Sequence, residues 1–421
     1  MVPLHSGTVF LYRFFGPGNR KIKNLRHKKK EVFIMHFKQK WVFVLSLLLV
    51  FVMVTGCNQQ PVAKDPVEEV VLKIGGSGPL TGSAASYGTS VKQGAQLAVD
   101  ELNNNGGVAG MKFELLFEDD AADPAMAVNA YARLVDQGMH VSMGTVTSGA
   151  GMAMTEEVKK DGFLMLTPSA SQKEITRYPN SFRVCFTDPD QGTYAADFIK
   201  TNDLATKVAI LYDKSSDYST GIRDAFVAQA SEVGLNVVEE QAFTDQSNTD
   251  FSVQIQAVEE SGADLLFLPI YYEEAAMILK QSTNLDVVYF GVDGMDGVIG
   301  QMGSEYAALT EGVMLLTPFA ADSKDEKTVH FVEAYVEQFE STPDQFAADA
   351  YDVVYTIAAA VEQAGVTSPK DEDFNEKMIA AMTQIEVEGV TGTMTWSEDG
   401  EPAKSATAVV IKNGKYVAFE R

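Results

Sequence analysis

From residue 70 onward the chain alternates short apolar runs with longer amphipathic stretches. Residues 71–75 predict a strand. Residues 90–103 predict a helix, because Val91, Ala95, Ala98 and Leu102 recur at a helical period and Asn104-Asn105-Gly106-Gly107 ends it. Further strands are predicted at 113–117, 141–144 and 163–166, with helical patterns at 125–137 and around 155–160. A second series places strands at 208–211, 237–240, 265–268 and 287–291, separated by helices at 219–233, 251–261 and 273–282. Strands and helices alternating with crossovers of this length predict parallel sheets covered on both faces. Two such series predict an α/β fold of two doubly wound parallel-sheet lobes. After Pro318 the pattern turns mostly helical, at 325–340, 347–364 and 373–383, and closes on short strands at 392–396 and 408–412. These late elements are expected to cross back and complete both lobes, leaving a cleft that hinges shut. The expected lobes are 70–188 with 319–395, and 189–318 with 396–421.

The first 56 residues differ in kind. Trp41 to Met53 is apolar except for Ser46 and follows Lys38 and Lys40. That is a positive region before an apolar core of signal-peptide length, too short for a comfortable membrane span. It ends at Val54-Thr55-Gly56-Cys57, which resembles a bacterial lipobox. The resemblance implies cleavage before Cys57 and diacylation of its sulfur, hence an extracytoplasmic protein held to the membrane by lipid. Met35 is the expected start of the signal peptide, and 57–69 reads as a polar tether.

This division changes the picture of charge. The formal charge is −25, yet residues 1–56 hold ten of the 33 basic residues and one of the 58 acidic ones. The 23 basic and 57 acidic residues that follow leave the rest at −34. Such a surface repels phosphate backbones and excludes nucleic acid as a partner. Of the two cysteines, Cys185 has no partner once Cys57 is lipidated, so packing must hold the fold.

Catalytic or metal chemistry has few candidates. After Cys57 the histidines are His140 and His330, far apart, with no CxxC or HExxH pattern. Gly76-Ser77-Gly78-Pro79-Leu80-Thr81-Gly82 misses the dinucleotide spacing by one residue, and no Walker sequence occurs. Neither an enzyme nor a metal or cofactor is expected. Binding chemistry is better supplied. In open α/β sheets ligands sit beyond the carboxyl ends of the strands. There the chain places Tyr87, then Thr145-Val146-Thr147-Ser148, then Thr167-Pro168-Ser169-Ala170-Ser171. The second series adds Tyr218, Tyr271-Tyr272 and Asp293. Hydroxyls and N–H groups at helix starts suit a carboxylate, Asp293 suits an ammonium, and tyrosine rings wall an apolar side chain. The combination suits a zwitterion.

The ordered set Gly78-Pro79-Leu80-Thr81-Gly82, Tyr87-Gly88, Gly94-Ala95, Asp100-Glu101-Leu102-Asn103, Gly106-Gly107-Val108-Ala109-Gly110 and Asp119-Asp120-Ala121-Ala122-Asp123-Pro124 resembles the leucine/isoleucine/valine-binding family. These are the type I periplasmic binding proteins of branched-chain amino acid ABC transporters, and the similarity runs from about Val70 to Val417. It implies that Ser148, Ser169, Ala170 and Ser171 hold the ligand carboxylate, that Tyr87, Tyr218 and Tyr271 enclose the ligand, and that Asp293 pairs with its ammonium. It implies as partners a small amino acid and a membrane permease, and a monomeric receptor. Asp293 stands where relatives often carry Glu, Tyr87 where some carry Trp, and Ala122 and Thr147 where some carry a disulfide. Amides, ureas and aromatic acids, or a sensing role, are the alternatives on the same fold.

Overall fold

Leu265–Leu268 and Met314–Thr317 are buried along their whole length, which requires cover on both faces of a sheet. The computed structural model describes residues 69–404 and 406–420. The basic start, the apolar run and Cys57 lie outside the described residues. Five strands form the first sheet: β1 (Val70–Gly78), β2 (Met111–Asp119), β3 (Val141–Ser142), β4 (Met165–Thr167) and β5 (Ser181–Arg183). Their order is β2-β1-β3-β4-β5 and every pairing is parallel. Helices α1 (Ala85–Asn104), α2 (Pro124–Asp136) and α3 (Ser148–Asp161) connect the first four strands.

The second sheet repeats the winding. After α4 (Asp188–Thr201) come β6 (Lys207–Asp213), α5 (Asp217–Val233), β7 (Asn236–Phe243), α6 (Ser252–Ser261), β8 (Leu265–Leu268), α7 (Tyr272–Gln281), β9 (Val288–Gly291), α8 (Val298–Tyr306) and β10 (Met314–Thr317). The chain then returns to the first lobe as α9 (Glu326–Phe339), α10 (Gln345–Ala364) and α11 (Phe374–Met382), followed by the ribbon β11 (Glu386–Gly389) and β12 (Gly392–Thr395). It ends with β13 (Thr407–Lys412) and β14 (Lys415–Ala418), giving the order β14-β13-β10-β9-β8-β6-β7. The strand orders 2-1-3-4-5 and 7-6-8-9-10 are the same doubly wound pattern, each reversing direction beside its first strand.

Three expectations are corrected here. The second sheet is not parallel throughout, because β13 pairs antiparallel with both β10 and β14. Asn413 and Gly414 take φ of 52° and 70°, the left-handed pair that a two-residue hairpin demands. The first helix starts at Ala85 rather than 90, with no side-chain cap to mark it. Strand β5, helix α4, helix α8 and strand β10 fill stretches for which no element was predicted.

The first lobe owes its density to one close approach. A Cβ on Gly94 would lie 2.0 Å from the Ala347 carbonyl oxygen, so only glycine lets α1 lie against α10. Crossing segments are tied together by polar contacts. Trp396 Nε1 donates to the Arg183 carbonyl (2.7 Å), and Lys404 Nζ reaches the Val184 carbonyl (3.0 Å), Thr391 Oγ1 (2.7 Å) and buried Asp349 (2.6 Å). Cys185 beside them is a buried free thiol.

Candidate functional site

The reversal points of both sheets face one another, and loops from their carboxyl ends line one small cavity. Asp120, fully buried, accepts from Ser77 Oγ (2.7 Å) at the end of β1 and Thr145 Oγ1 (2.6 Å) just past β3. Asp119 accepts from Leu80 N (2.9 Å) and Thr81 Oγ1 (2.7 Å), fixing the loop that leads into α1. A Cβ on Gly88 would stand 2.1 Å from the Pro79 carbonyl oxygen, so the glycine lets that loop fold under Tyr87. The sequence motif at 78–88 and 119–124 is thus a brace for the cavity rim.

The lining comprises Tyr87, Val146, Thr147, Ser148, Ser169, Ser171, Tyr218, Tyr271, Asp293, Gly294 and Phe346. Every residue to which the resemblance gave a ligand role is there except Ala170. Its methyl packs in the core cluster with Met154 and Ile175, while its N–H donates to Thr167 Oγ1 (3.1 Å). Ser148 opens α3, and its Oγ accepts from the N–H groups of Ser171 (3.2 Å) and Gln172 (3.1 Å). Its proton is left to donate, either to Ser171 Oγ at 3.4 Å or to a ligand oxygen. Ser169 is committed differently, donating to the Val146 carbonyl (2.7 Å). One wall therefore presents a helix N-terminus and hydroxyl donors, the requirement for an anionic group.

The opposite wall is acidic. Asp293 follows β9, is 7 % exposed, and accepts from Tyr218 OH (2.5 Å). The same tyrosine oxygen accepts from Gly294 N (3.0 Å). Burial pushes the Asp293 carboxyl up to about 6, against the pull of Tyr218 and the Gly294 N–H. Tyr87 packs at 4.5 Å from Phe346 and 5.5 Å from Tyr271, and Tyr271 lies 4.8 Å from Tyr218.

Sequence reasoning placed Thr147 at a strand end without a role of its own, and missed Phe346, Gln191 and Asp188. Thr147 Oγ1 is buried without a hydrogen-bond partner at the cavity wall. Gln191 Oε1 accepts from Asp293 N (3.2 Å). Asp188 is 1 % exposed, and neither carboxylate oxygen has a well-formed hydrogen bond. Burial pushes it well above the usual carboxylate range, the nearby Ser171 hydroxyl opposes this, and the charge of Asp293 adds to it. Asp188 starts α4 immediately beyond β5, so the strand-end rule that located the other residues locates it once β5 is recognised. His140 and His330 stand apart from the cavity: His140 Nδ1 accepts from Lys73 N (3.0 Å), and His330 Nε2 lies 3.2 Å from Glu101.

The cavity spans the two lobes and is nearly shut. Tyr87 OH donates to the Gly294 carbonyl and accepts from Tyr272 N (3.1 Å). Tyr272 OH donates back to the Ser83 carbonyl (2.6 Å). The remaining volume is about 10 Å³, room for about one water.

The chain is similar to known proteins along most of its length. The family described as "Periplasmic binding protein" matches residues 71–415. The Leu/Ile/Val-binding protein BraC3 of Rhizobium johnstonii is 30% identical over 84% of this chain and 95% of its own. The leucine-, isoleucine-, valine-, threonine-, and alanine-binding protein of Pseudomonas aeruginosa is 29% identical over 89% of this chain and 95% of its own. Among solved structures, the branched-chain amino acid transporter substrate binding protein LivJ of Streptococcus pneumoniae, in complex with isoleucine, superposes with a TM-score of 0.75 at 29% identity, covering 83% of this chain and 98% of that one.

Proposed function

This chain belongs to the periplasmic binding protein family, among the Leu/Ile/Val-binding proteins, and from that premise we propose that its cavity receives a branched-chain or other aliphatic amino acid. One observation carries the reading. A helix N-terminus with free hydroxyl capacity at Ser148 faces, across the tyrosines, a buried carboxylate at Asp293. The first suits the ligand carboxylate, with Ser169 and Ser171 shaping the grip, and the second suits the ammonium. Tyr87, Tyr218, Tyr271 and Phe346 enclose the side chain. Asp188, behind Ser171 and within the field of Asp293, supplies a further buried acceptor near the cavity.

The proposed receptor works outside the cytoplasm, held by a diacylated Cys57, and passes its ligand to an ABC permease. Its moving bodies are 70–188 with 319–395 and 189–318 with 396–421, acting as a monomer. Intact mass of protein extracted from membranes checks the anchor: a chain starting at a lipid-bearing Cys57 supports it, and an unmodified chain does not.

Calorimetry checks the ligand. A buried charge-assisted contact is worth roughly 1.5–3 kcal/mol, so Asp293→Ala should weaken L-leucine binding about tenfold to a hundredfold or more. Asp293→Asn should also weaken it, because shape is kept and charge is lost. 4-Methylpentanoate, which lacks the ammonium, should be far less sensitive to either change. Equal losses for both ligands would point to an amide or aromatic-acid receptor instead.

A further inference from the structure

Two carboxylates outside the ligand cavity meet across the cleft. Asp296 follows the short turn Asp293–Met295 of the second lobe, and Asp344 caps α10 of the first. Asp296 is 5 % exposed. Its Oδ2 accepts from the backbone N–H of Gln345 (3.2 Å), while its Oδ1 is buried with no hydrogen-bond partner. Asp344 uses both oxygens within its own lobe: Oδ1 accepts from Ala347 N (2.9 Å) and Oδ2 from Ser90 Oγ (2.6 Å). The remaining groups facing the pair are tyrosines. Tyr416 of β14 lies beside Asp296 and accepts from Gly297 N (3.1 Å), Tyr335 of α9 faces Asp344, and Tyr272 of α7 packs beside Gly297. Neither carboxylate forms an ion pair with Lys, Arg or His among the described residues.

Among the described residues, the positive potential supplied to both is the N-terminus of α10, and Asp344 already occupies it. A second ionised carboxylate there is repelled by the first, and its orphan oxygen is desolvated without compensation. A proton on Asp296 relieves both. Burial and the charge of Asp344 push Asp296 up to about 8, and burial pushes Asp344 up to about 6. With the lobes apart, Asp296 leaves the charge of Asp344 and returns to water and toward the ordinary range near about 4, while Asp344 keeps its own-lobe donors.

We propose that closing the cleft takes up a proton at the Asp296–Asp344 pair, so that the closed, ligand-holding form gains as the pH falls through the neutral range. The sign follows from linkage. The closed form binds the proton more tightly than the open form, so the advantage is complete below the open-state pKa and lost as the pH rises through the closed-state pKa. Asp293 titrates in the opposite sense, since its protonation removes an acceptor for an ammonium. Its variants therefore do not imitate the effect.

The inference rests on hinge closure about the cleft and on the amino-acid reading of it, and the experiment separates the two. L-leucine is titrated calorimetrically between about pH 6 and about pH 8, in buffers of different ionisation enthalpy. Kd should rise by up to about tenfold per pH unit, the limit for one linked proton, with uptake approaching one proton per leucine near neutrality. Asp296→Asn should remove the rise of Kd with pH, leaving only the opposite trend of Asp293, abolish the uptake and bind more tightly than wild type at the alkaline end. Asp344→Asn keeps a helix cap, serves if the first variant fails to fold, and should reduce the uptake. Small-angle scattering without ligand is the second arm: the radius of gyration should be smaller at the lower pH in wild type and pH-independent in Asp296→Asn. If leucine does not bind, the amino-acid reading fails and scattering alone decides. A pH-independent Kd or radius in wild type, or a rise of Kd with pH that survives in Asp296→Asn, overturns the proposal.

Discussion

Asp188 and Asp293 are both buried and both raised, yet they stand in different circumstances. Asp293 has Tyr218 and the environment of Gly294 and Gln191 to support an ionised form. Asp188 has less: two oxygens without well-formed partners, the Ser171 hydroxyl and the more distant Arg183 as its support, and the like charge of Asp293 nearby. A group in that state is a cost to the folded protein unless something arrives to use it. An ammonium between the two would do so. Asp188→Asn should therefore weaken L-leucine by about tenfold or more, on the same roughly 1.5–3 kcal/mol scale. The stability effect should run the other way. A carboxyl whose folded pKa is raised destabilises the fold as pH climbs through that value, so the variant should melt no lower than wild type near neutrality and higher in alkali. Thermal melts across pH, beside calorimetry, check both halves. A large loss of Tm with unchanged affinity would make Asp188 a structural residue.

At the scale of elements, what the sequence discloses follows from how far each signal extends. Long amphipathic helices such as 219–233 and 347–364, and apolar strands such as 265–268, carry enough periodic positions to declare themselves, and they lie within α5, α10 and β8. Ser181–Arg183 has three residues and no period to read, and its place in the sheet comes from pairing with β4. Helix α4 did carry a local signature, Thr187 capping Asp190 N (3.1 Å) with a proline in its first turn, but its apolar face is built largely of alanines. The antiparallel tail was signalled only by Asn413-Gly414. Glu386–Gly389 is held by an interaction invisible in sequence, the Asp352 carboxylate accepting from Val390 N and Thr391 N (2.9 Å each) in the ribbon's turn. The cavity was legible further than these elements because strand ends are positions, and a rule about position needs only the strand. Where the strand was missed, Asp188 was missed with it. Phe346 arrives from a helix that crosses back late in the chain, and no local pattern announces that return.

At the scale of the molecule, the two lobes are held together by contacts that a ligand must share or displace. The closed cleft leaves about 10 Å³, far below the roughly 300 Å³ at which small-molecule sites begin. An amino acid enters only if the lobes part, and it retains them closed only by binding the closed form better than the open one. The latch outside the ligand's reach is Tyr272, whose hydroxyl donates to the Ser83 carbonyl (2.6 Å) and accepts from Ser86 N (3.3 Å) of the opposite lobe. Its ring also stacks edge-on at 4.7 Å from Tyr87, and Tyr272→Phe keeps that packing while removing the hydroxyl. Net loss of such hydrogen bonds is worth about 1 kcal/mol, so closure should become roughly fivefold less favourable. L-leucine affinity should fall by that factor, while the preference for leucine over 4-methylpentanoate should stay unchanged, since the latch touches neither end of the ligand. Scattering should show a ligand-free radius of gyration at or above that of wild type, and the same compact radius for both proteins at saturating leucine. A changed ligand preference in Tyr272→Phe would mean that the tyrosine shapes the cavity itself rather than the equilibrium between its open and closed forms.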